Sequence, residues 1–241
     1  MTIISNTINY LDGDVLLEGF FAYDDGIEGQ RPAVMINHAW AGRNDFVEEK
    51  ALKLAELGYF AFAVDMYGKG ILGQSIEQNS KLMQPFMDDR HLVLSRMNAA
   101  LYAVKQLPWV NDKQLAAIGF CFGGLCVLDL ARSGADIKGV VSFHGLVDAP
   151  ELNSQQAPVA IKAKILVLNG ADDPMVSNEQ LFSLQQELTR AEADWQVHTY
   201  SQTMHAFTNP VANDPDFGTV YQPNSDRRSW LAMKNFLTEI F

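Results

Sequence analysis

Short apolar runs alternate with amphipathic stretches along almost the whole chain. Near the N-terminus the alternation has a period of two: Ile8 and Tyr10, a turn at Asp12-Gly13, then Val15, Leu17 and Gly19-Phe20-Phe21-Ala22-Tyr23. Because successive strand side chains point to opposite faces, this predicts a β-hairpin. A polar loop over 24–32 leads to Ala33-Val34-Met35-Ile36, a predicted buried strand. A loop over 37–44, a helix over 48–58 and an apolar strand over 59–64 follow. Beyond them the pattern predicts a long helix from about 86 to 107, strand 115–119, helix 122–133, strands 138–143 and 164–168, helix 177–191, strand 195–200 and helix 225–240. Strands alternating with helices of this length mean βαβ units. The predicted fold class is therefore α/β, a mostly parallel central sheet with helices on both faces and an N-terminal β-hairpin.

Three stretches break the alternation. Residues 68–85, with Gly68, Gly70, Gly73 and Pro85, have weak periodicity and are predicted to cross the top of the sheet as a candidate lid. Residues 148–158, and 209–224 with Pro210, Pro215 and Pro223, read as further excursions. In open α/β sheets the ligand site lies at the carboxyl ends of the strands, where such loops gather. The absence of any internal repeat or low-complexity linker predicts one domain over 1–241.

Composition narrows the function classes. The chain has 241 residues, 48% of them hydrophobic and 20% charged, enough apolar material for a substantial core. A formal net charge of −11, without a Lys/Arg cluster, argues against nucleic acid and anionic membrane surfaces as partners. No apolar run approaches membrane-spanning length, and Met1-Thr2-Ile3-Ile4-Ser5-Asn6 lacks the basic and apolar regions of a leader, so a soluble, cytoplasmic protein is expected. The two cysteines, Cys121 and Cys126, fall at the start of one predicted helix. Five helical residues rise about 7.5 Å, beyond the roughly 7 Å at which a disulfide can close. Cys126 reads as a buried small hydrophobe.

The chemistry centres on Gly119-Phe120-Cys121-Phe122-Gly123-Gly124, which follows the apolar run Leu115-Ala116-Ala117-Ile118 and precedes a helical pattern. Cys121 thus falls at a sharp strand-to-helix turn, with glycines two positions to either side that let strand and helix approach. The helix N-terminus favours thiolate over thiol there. The spacing alone is weak, since Gly-x-Ser/Cys-x-Gly arises by chance about once in ten chains of this length. A cysteine nucleophile also needs an imidazole, and the imidazole a carboxylate. The strand ending at Leu168 runs into Asn169-Gly170-Ala171-Asp172-Asp173, and the strand ending at Tyr200 into Ser201-Gln202-Thr203-Met204-His205. Nucleophile, acid and base thus follow the chain order of the α/β-hydrolases.

The chain resembles the dienelactone hydrolase family, the cysteine-using branch of the α/β-hydrolases, over nearly its whole length. The resemblance rests on Gly119 to Gly124, Asp65-Met66-Tyr67-Gly68, Gly170-x-x-Asp173-x-x-Val176 and Met204-His205-Ala206-Phe207. It implies an α/β-hydrolase fold and a Cys121, Asp173, His205 triad, with Asp172 the alternative acid. It also implies that His38-Ala39-Trp40-Ala41-Gly42-Arg43-Asn44 is an oxyanion loop, the backbone N–H groups of Trp40 and Phe122 cradling the oxyanion. The family commonly has a glutamate where this chain has Ala39, so a permanent Cys121/His205 couple is expected in place of a gated one. The family's best-known members hold a substrate carboxylate with arginines, one of them shortly after the catalytic histidine, where Thr208-Asn209-Pro210 stands here. The segment before Pro85 offers only Lys81 as a cation, with Arg90 and His91 the next candidates. A neutral or aromatic ester or lactone is the expected substrate, with Trp40, Tyr67, Phe86, His144 and Phe207 as candidate binding residues.

His38 is expected to hydrogen-bond loop backbone, His91 to face solvent and His198 to be structural. No pair of these residues has metal-ligand spacing, so neither metal nor cofactor is expected. The expected function is hydrolysis of small carboxylic esters or lactones through an acyl-cysteine. The alternatives are acyl transfer, or thioester or phosphotriester hydrolysis on the same triad, and a non-catalytic ligand-binding member of the fold. Nothing in the chain specifies an oligomeric state.

Overall fold

The computed structural model describes residues 2–150 and 160–241. The expected excursion over 148–158 falls mostly outside them. The chain groups into two compact units, 1–118 and 119–241.

The first unit opens with β1 (Ile3–Asp12) and β2 (Val15–Asp24), an antiparallel hairpin in which Asp12 faces Val15. Gly13 closes the turn at φ 57°, a conformation that costs glycine least. β2 pairs antiparallel with β4 (Phe60–Val64), which pairs parallel with β3 (Arg31–Asn37). With β5 (Val110–Phe120), whose last two residues enter the second unit, the order is β1-β2-β4-β3-β5. Every residue of β4 is buried, as a strand covered on both faces requires. Between β3 and β4, α1 (Asp45–Glu56) turns Val47, Ala51, Leu54 and Ala55 inward at helical spacing.

The structure corrects the reading of residues 68–107. In place of an irregular crossing and one long helix there are two helices, α2 (Ile76–Asp88) and α3 (Arg90–Lys105). Asp89 separates them. Its backbone is extended, its N–H donates to the Pro85 carbonyl, and its side chain accepts from the His91 N–H at 2.9 Å. Aspartate competes for backbone donors in this way, which favours it at helix starts over helix interiors. α2 buries only Phe86, so it writes almost no apolar period into the sequence. Its start is marked instead by Ser75, whose hydroxyl accepts from the Gln78 N–H.

The second unit begins at the end of β5 and continues with α4 (Phe122–Arg132), β6 (Gly139–Phe143), β7 (Lys164–Gly170), α5 (Asn178–Arg190) and β8 (Trp195–Tyr200). β6, β7 and β8 run parallel in that order. A short ribbon of β9 (Asn213–Asp214) and β10 (Thr219–Val220) lies within the expected 209–224 loop, and α6 (Pro223–Ile240) closes the chain. α4 packs on β6, and α6 on β6 and β7. Ser177 and Gln180 form a reciprocal capping box at the start of α5. The fold is α/β with a mostly parallel sheet and an N-terminal antiparallel strand pair.

Candidate active site

Cys121 stands between the end of β5 and the first residue of α4, at φ 55° and ψ −115°. A non-glycine residue in that region carries about 1–3 kcal/mol of strain. The surrounding glycines make the turn feasible. A Cβ on Gly119 would lie 2.0 Å from the Gly123 carbonyl oxygen, and one on Gly124 2.6 Å from the Gly145 Cα. The Cys121 N–H donates to the Phe143 carbonyl at 3.0 Å, tying the turn to the end of β6. Cys121 is partly exposed and Cys126 is buried, and neither forms a disulfide among the described residues.

The loop after β7 separates its two aspartates. Asp172 is exposed, whereas Asp173 is 6% exposed. One Asp173 carboxylate oxygen accepts from the Met175 N–H at 2.8 Å and the other from His205 Nδ1 at 2.8 Å. Gly170 allows the His205 loop to approach, since a Cβ there would lie 2.2 Å from the Thr203 carbonyl oxygen. The Asp172 N–H donates to that same carbonyl. His205 is held through its backbone as well, its N–H on the Gly218 carbonyl and its carbonyl on the Val220 N–H, both at 3.0 Å.

The His205 ring is 1% exposed. Burial disfavours its charge, but the negative charge and hydrogen-bonding capacity of Cys121 and the Asp173 carboxylate outweigh it, raising the imidazole to about 10. Nε2 has no partner with hydrogen-bond geometry among the described residues. Cys121 acts on the ring as an electrostatic near neighbour rather than through an aligned hydrogen bond. The second unit thus holds His205 Nδ1 on the buried Asp173 carboxylate, with Cys121, at its strained turn, near enough to bear electrostatically on the imidazole.

The other candidate residues fall into two groups. Phe122 is the first residue of α4, His144 packs against the His205 imidazole, and Phe207 packs against His144. The His144 ring lies edge-on to His205 at 5.1 Å and to Phe207 at 5.0 Å, and both residues are buried, at 2% and 0% exposure. Trp40, Tyr67 and Phe86 belong to the first unit. There the Tyr67 hydroxyl donates to the Trp40 carbonyl at 3.0 Å, and the Tyr67 and Phe86 rings lie 5.6 Å apart.

His38 anchors this group by backbone hydrogen bonds: Nδ1 to the Ala39 carbonyl at 2.6 Å, and Nε2 accepting from the Met66 N–H at 3.2 Å. That network assigns the neutral Nδ1–H tautomer, and complete burial lowers its pKa to about 4. Asp65 of the Asp65-to-Gly68 motif accepts from the N–H groups of Tyr67, Gly68 and Glu18, each at 3.0 Å, so it shapes the loop. His91 is exposed, and Lys81 pairs with Glu77 on the surface of α2. Thr208 is a site neighbour that the sequence did not single out: it is buried, with its hydroxyl 2.8 Å from His144 Nε2. A threonine three residues past a loop histidine carries no periodic or motif signal. Among the described residues no His/Cys/Asp/Glu group could hold a metal, and no helix is long and apolar enough to cross a membrane.

An α/β fold with a cysteine at a strand-to-helix turn and a paired histidine and aspartate in later strand-end loops defines a class, the α/β hydrolases. The family model for the dienelactone hydrolase family matches residues 17–241, and the chain belongs to that family. A solved dienelactone hydrolase-like promiscuous phosphotriesterase from metagenomic libraries is 36% identical, covers 100% of both chains and superposes with a TM-score of 0.93. An uncharacterised Caenorhabditis elegans protein is 37% identical over 150 residues, 61% of this chain and 92% of its own. A Bradyrhizobium protein named "Probable 2-oxo-3-(5-oxofuran-2-ylidene)propanoate lactonase" is 26% identical over 212 residues, 85% of this chain and 82% of its own. The chain is a hydrolase of this family.

Proposed function

We propose that the chain hydrolyses small, uncharged carboxylic esters or lactones through an acyl-cysteine. The observation that carries the proposal is the arrangement inside the second unit: His205 Nδ1 bonded to buried Asp173 at 2.8 Å, with Cys121 a near neighbour whose electrostatics raise the imidazole. The Cys121 sulfur attacks the carbonyl carbon. The Phe122 N–H, at the start of α4 and next to the nucleophile, is the donor assigned to the developing oxyanion. The Trp40 N–H expected to share that role lies in the first unit. On collapse the carbon–oxygen bond to the leaving group breaks, and His205 gives its proton to the departing alkoxide. His205 then takes a proton from water as the hydroxide oxygen attacks the thioester, releasing the acid and restoring the thiolate. Asp173 holds the imidazole in one tautomer throughout.

The lactonase name of the Bradyrhizobium relative supports the ester and lactone class. The 36% identical phosphotriesterase supports a second reading, attack of the same sulfur on a phosphate triester. Parallel assays with p-nitrophenyl butyrate, a γ-lactone and a nitrophenyl phosphate triester test both. The carboxylic substrates are expected to give the higher kcat/KM, with Cys121→Ala losing about 10³-fold or more on each. A higher kcat/KM on the triester would reassign the substrate class. Undiminished ester hydrolysis by Cys121→Ala would remove the nucleophile.

A further inference from the structure

The end of β6 is tied to the nucleophile turn, to the end of β7 and to the loop that carries His205. The Phe143 carbonyl accepts from the Cys121 N–H at 3.0 Å, and the next residue's N–H, that of His144, donates to the Leu168 carbonyl on β7 at 2.8 Å, five residues before Asp173. His144 Nε2 meets the Thr208 hydroxyl at 2.8 Å, three residues after His205. Its ring lies against the His205 ring, with centroids 5.1 Å apart and planes at 65°. The flanking residues reach the helix of the turn: a Cβ on Gly124 would come within 2.5 Å of the Ser142 hydroxyl and 2.6 Å of the Gly145 Cα. His144 sits at φ 39°, a left-handed conformation that histidine tolerates better than bulky or β-branched residues do.

We propose that His144 is a positioning residue: through Thr208 and the face of His205 it fixes the imidazole toward Cys121, while the adjoining backbone locks the nucleophile turn and the acid strand in register. The proposal rests on the triad reading above. A buried histidine serving only as core filler could be exchanged for any ring of similar shape. Here the ring nitrogen also satisfies a hydroxyl that is 1% exposed, on the loop that must hold His205. Removing that bond frees the loop without emptying the core, so the effect falls on geometry at the reacting atoms.

The test compares Thr208→Val, which keeps the shape and loses the hydroxyl, with Thr208→Ser, which restores it, and with His144→Asn. Two readouts are taken: kcat and KM on p-nitrophenyl butyrate, and the rate at which iodoacetamide alkylates Cys121 at neutral pH, mapped by peptide mass. Thr208→Val is expected to lower kcat on the order of tenfold with KM nearly unchanged, because misplacing a catalytic group acts on the chemical step. Alkylation should slow in parallel, and Thr208→Ser should return both values to near wild type. His144→Asn should behave like Thr208→Val if it folds; if it does not, the valine and serine pair decides. Wild-type kcat and alkylation in a folded Thr208→Val would overturn the inference alone. A wild-type protein with an ordinary alkylation rate and no ester hydrolysis would overturn the triad reading, and this inference with it.

Discussion

Asp172 and Asp173 are adjacent in the chain, yet one faces solvent while the other is buried between the Met175 N–H and the His205 ring. The tight loop after β7 turns successive side chains apart, so only one carboxylate can orient the imidazole. Asp173→Asn is expected to lower kcat on the order of 10³–10⁴-fold by permitting the wrong tautomer. Asp172→Asn should stay within about threefold of wild type, as surface changes do. Kinetics of the two variants check this, and equal losses would contradict it. His205 also links stability to pH. Its pKa is raised from the ordinary value to about 10 despite burial, so its contribution is complete below about pH 6.5 and is lost as pH rises through 10. The gap in melting temperature between wild type and His205→Gln should therefore narrow from about pH 6 to about pH 10; a constant gap would contradict the shift. At this scale the sequence displayed the residues at strand ends, where Cys121, the two aspartates and His205 stand out in hydrolase order. It offered His144 only as a candidate binding residue and gave Thr208 no role, because their relation to His205 exists only once three loops have folded together.

The strand-to-helix turn from β5 into α4 shows what an element demands of its residues. With the Gly123 carbonyl oxygen 2.0 Å from where a Cβ on Gly119 would stand, Gly119→Ala has no flexible neighbour to displace. The turn itself must move. Overpacking of this kind costs about 2 kcal/mol or more, which lowers the melting temperature by roughly 4–8 °C in a chain of this size. Thermal unfolding checks that figure, and a variant melting with wild type would mean that the turn is looser than described. Elements with a strong apolar period were legible in the sequence: the hairpin, the buried strands, and helices such as α1 and α4 that bury several side chains. The segment that deceived the pattern was 68–107. α2 buries Phe86 alone, and the Asp89 break depends on a side-chain acceptor rather than on hydrophobicity. Periodicity reports burial, so a helix with little to bury passes for a loop.

Over the whole molecule the dominant electrostatic fact is the net charge of −11. Such a field repels anionic substrates, and Lys81, the cation that the segment before Pro85 offers, is paired with Glu77 on the surface of α2. Neutral p-nitrophenyl butyrate should therefore have a kcat/KM about tenfold above that of a nitrophenyl ester carrying a free carboxylate at low salt, with the ratio narrowing as salt screens the field. A preference for the anionic ester would indicate a cationic clamp instead. Covalent catalysis by Cys121 is decided by rapid mixing with p-nitrophenyl butyrate, followed by acid quench and intact-mass analysis. A burst of one nitrophenol per active chain is expected, together with a mass increase of one butyryl group that maps to the peptide carrying Cys121 and is absent from Cys121→Ala. Steady hydrolysis without burst or adduct, at the same rate in both proteins, would contradict it.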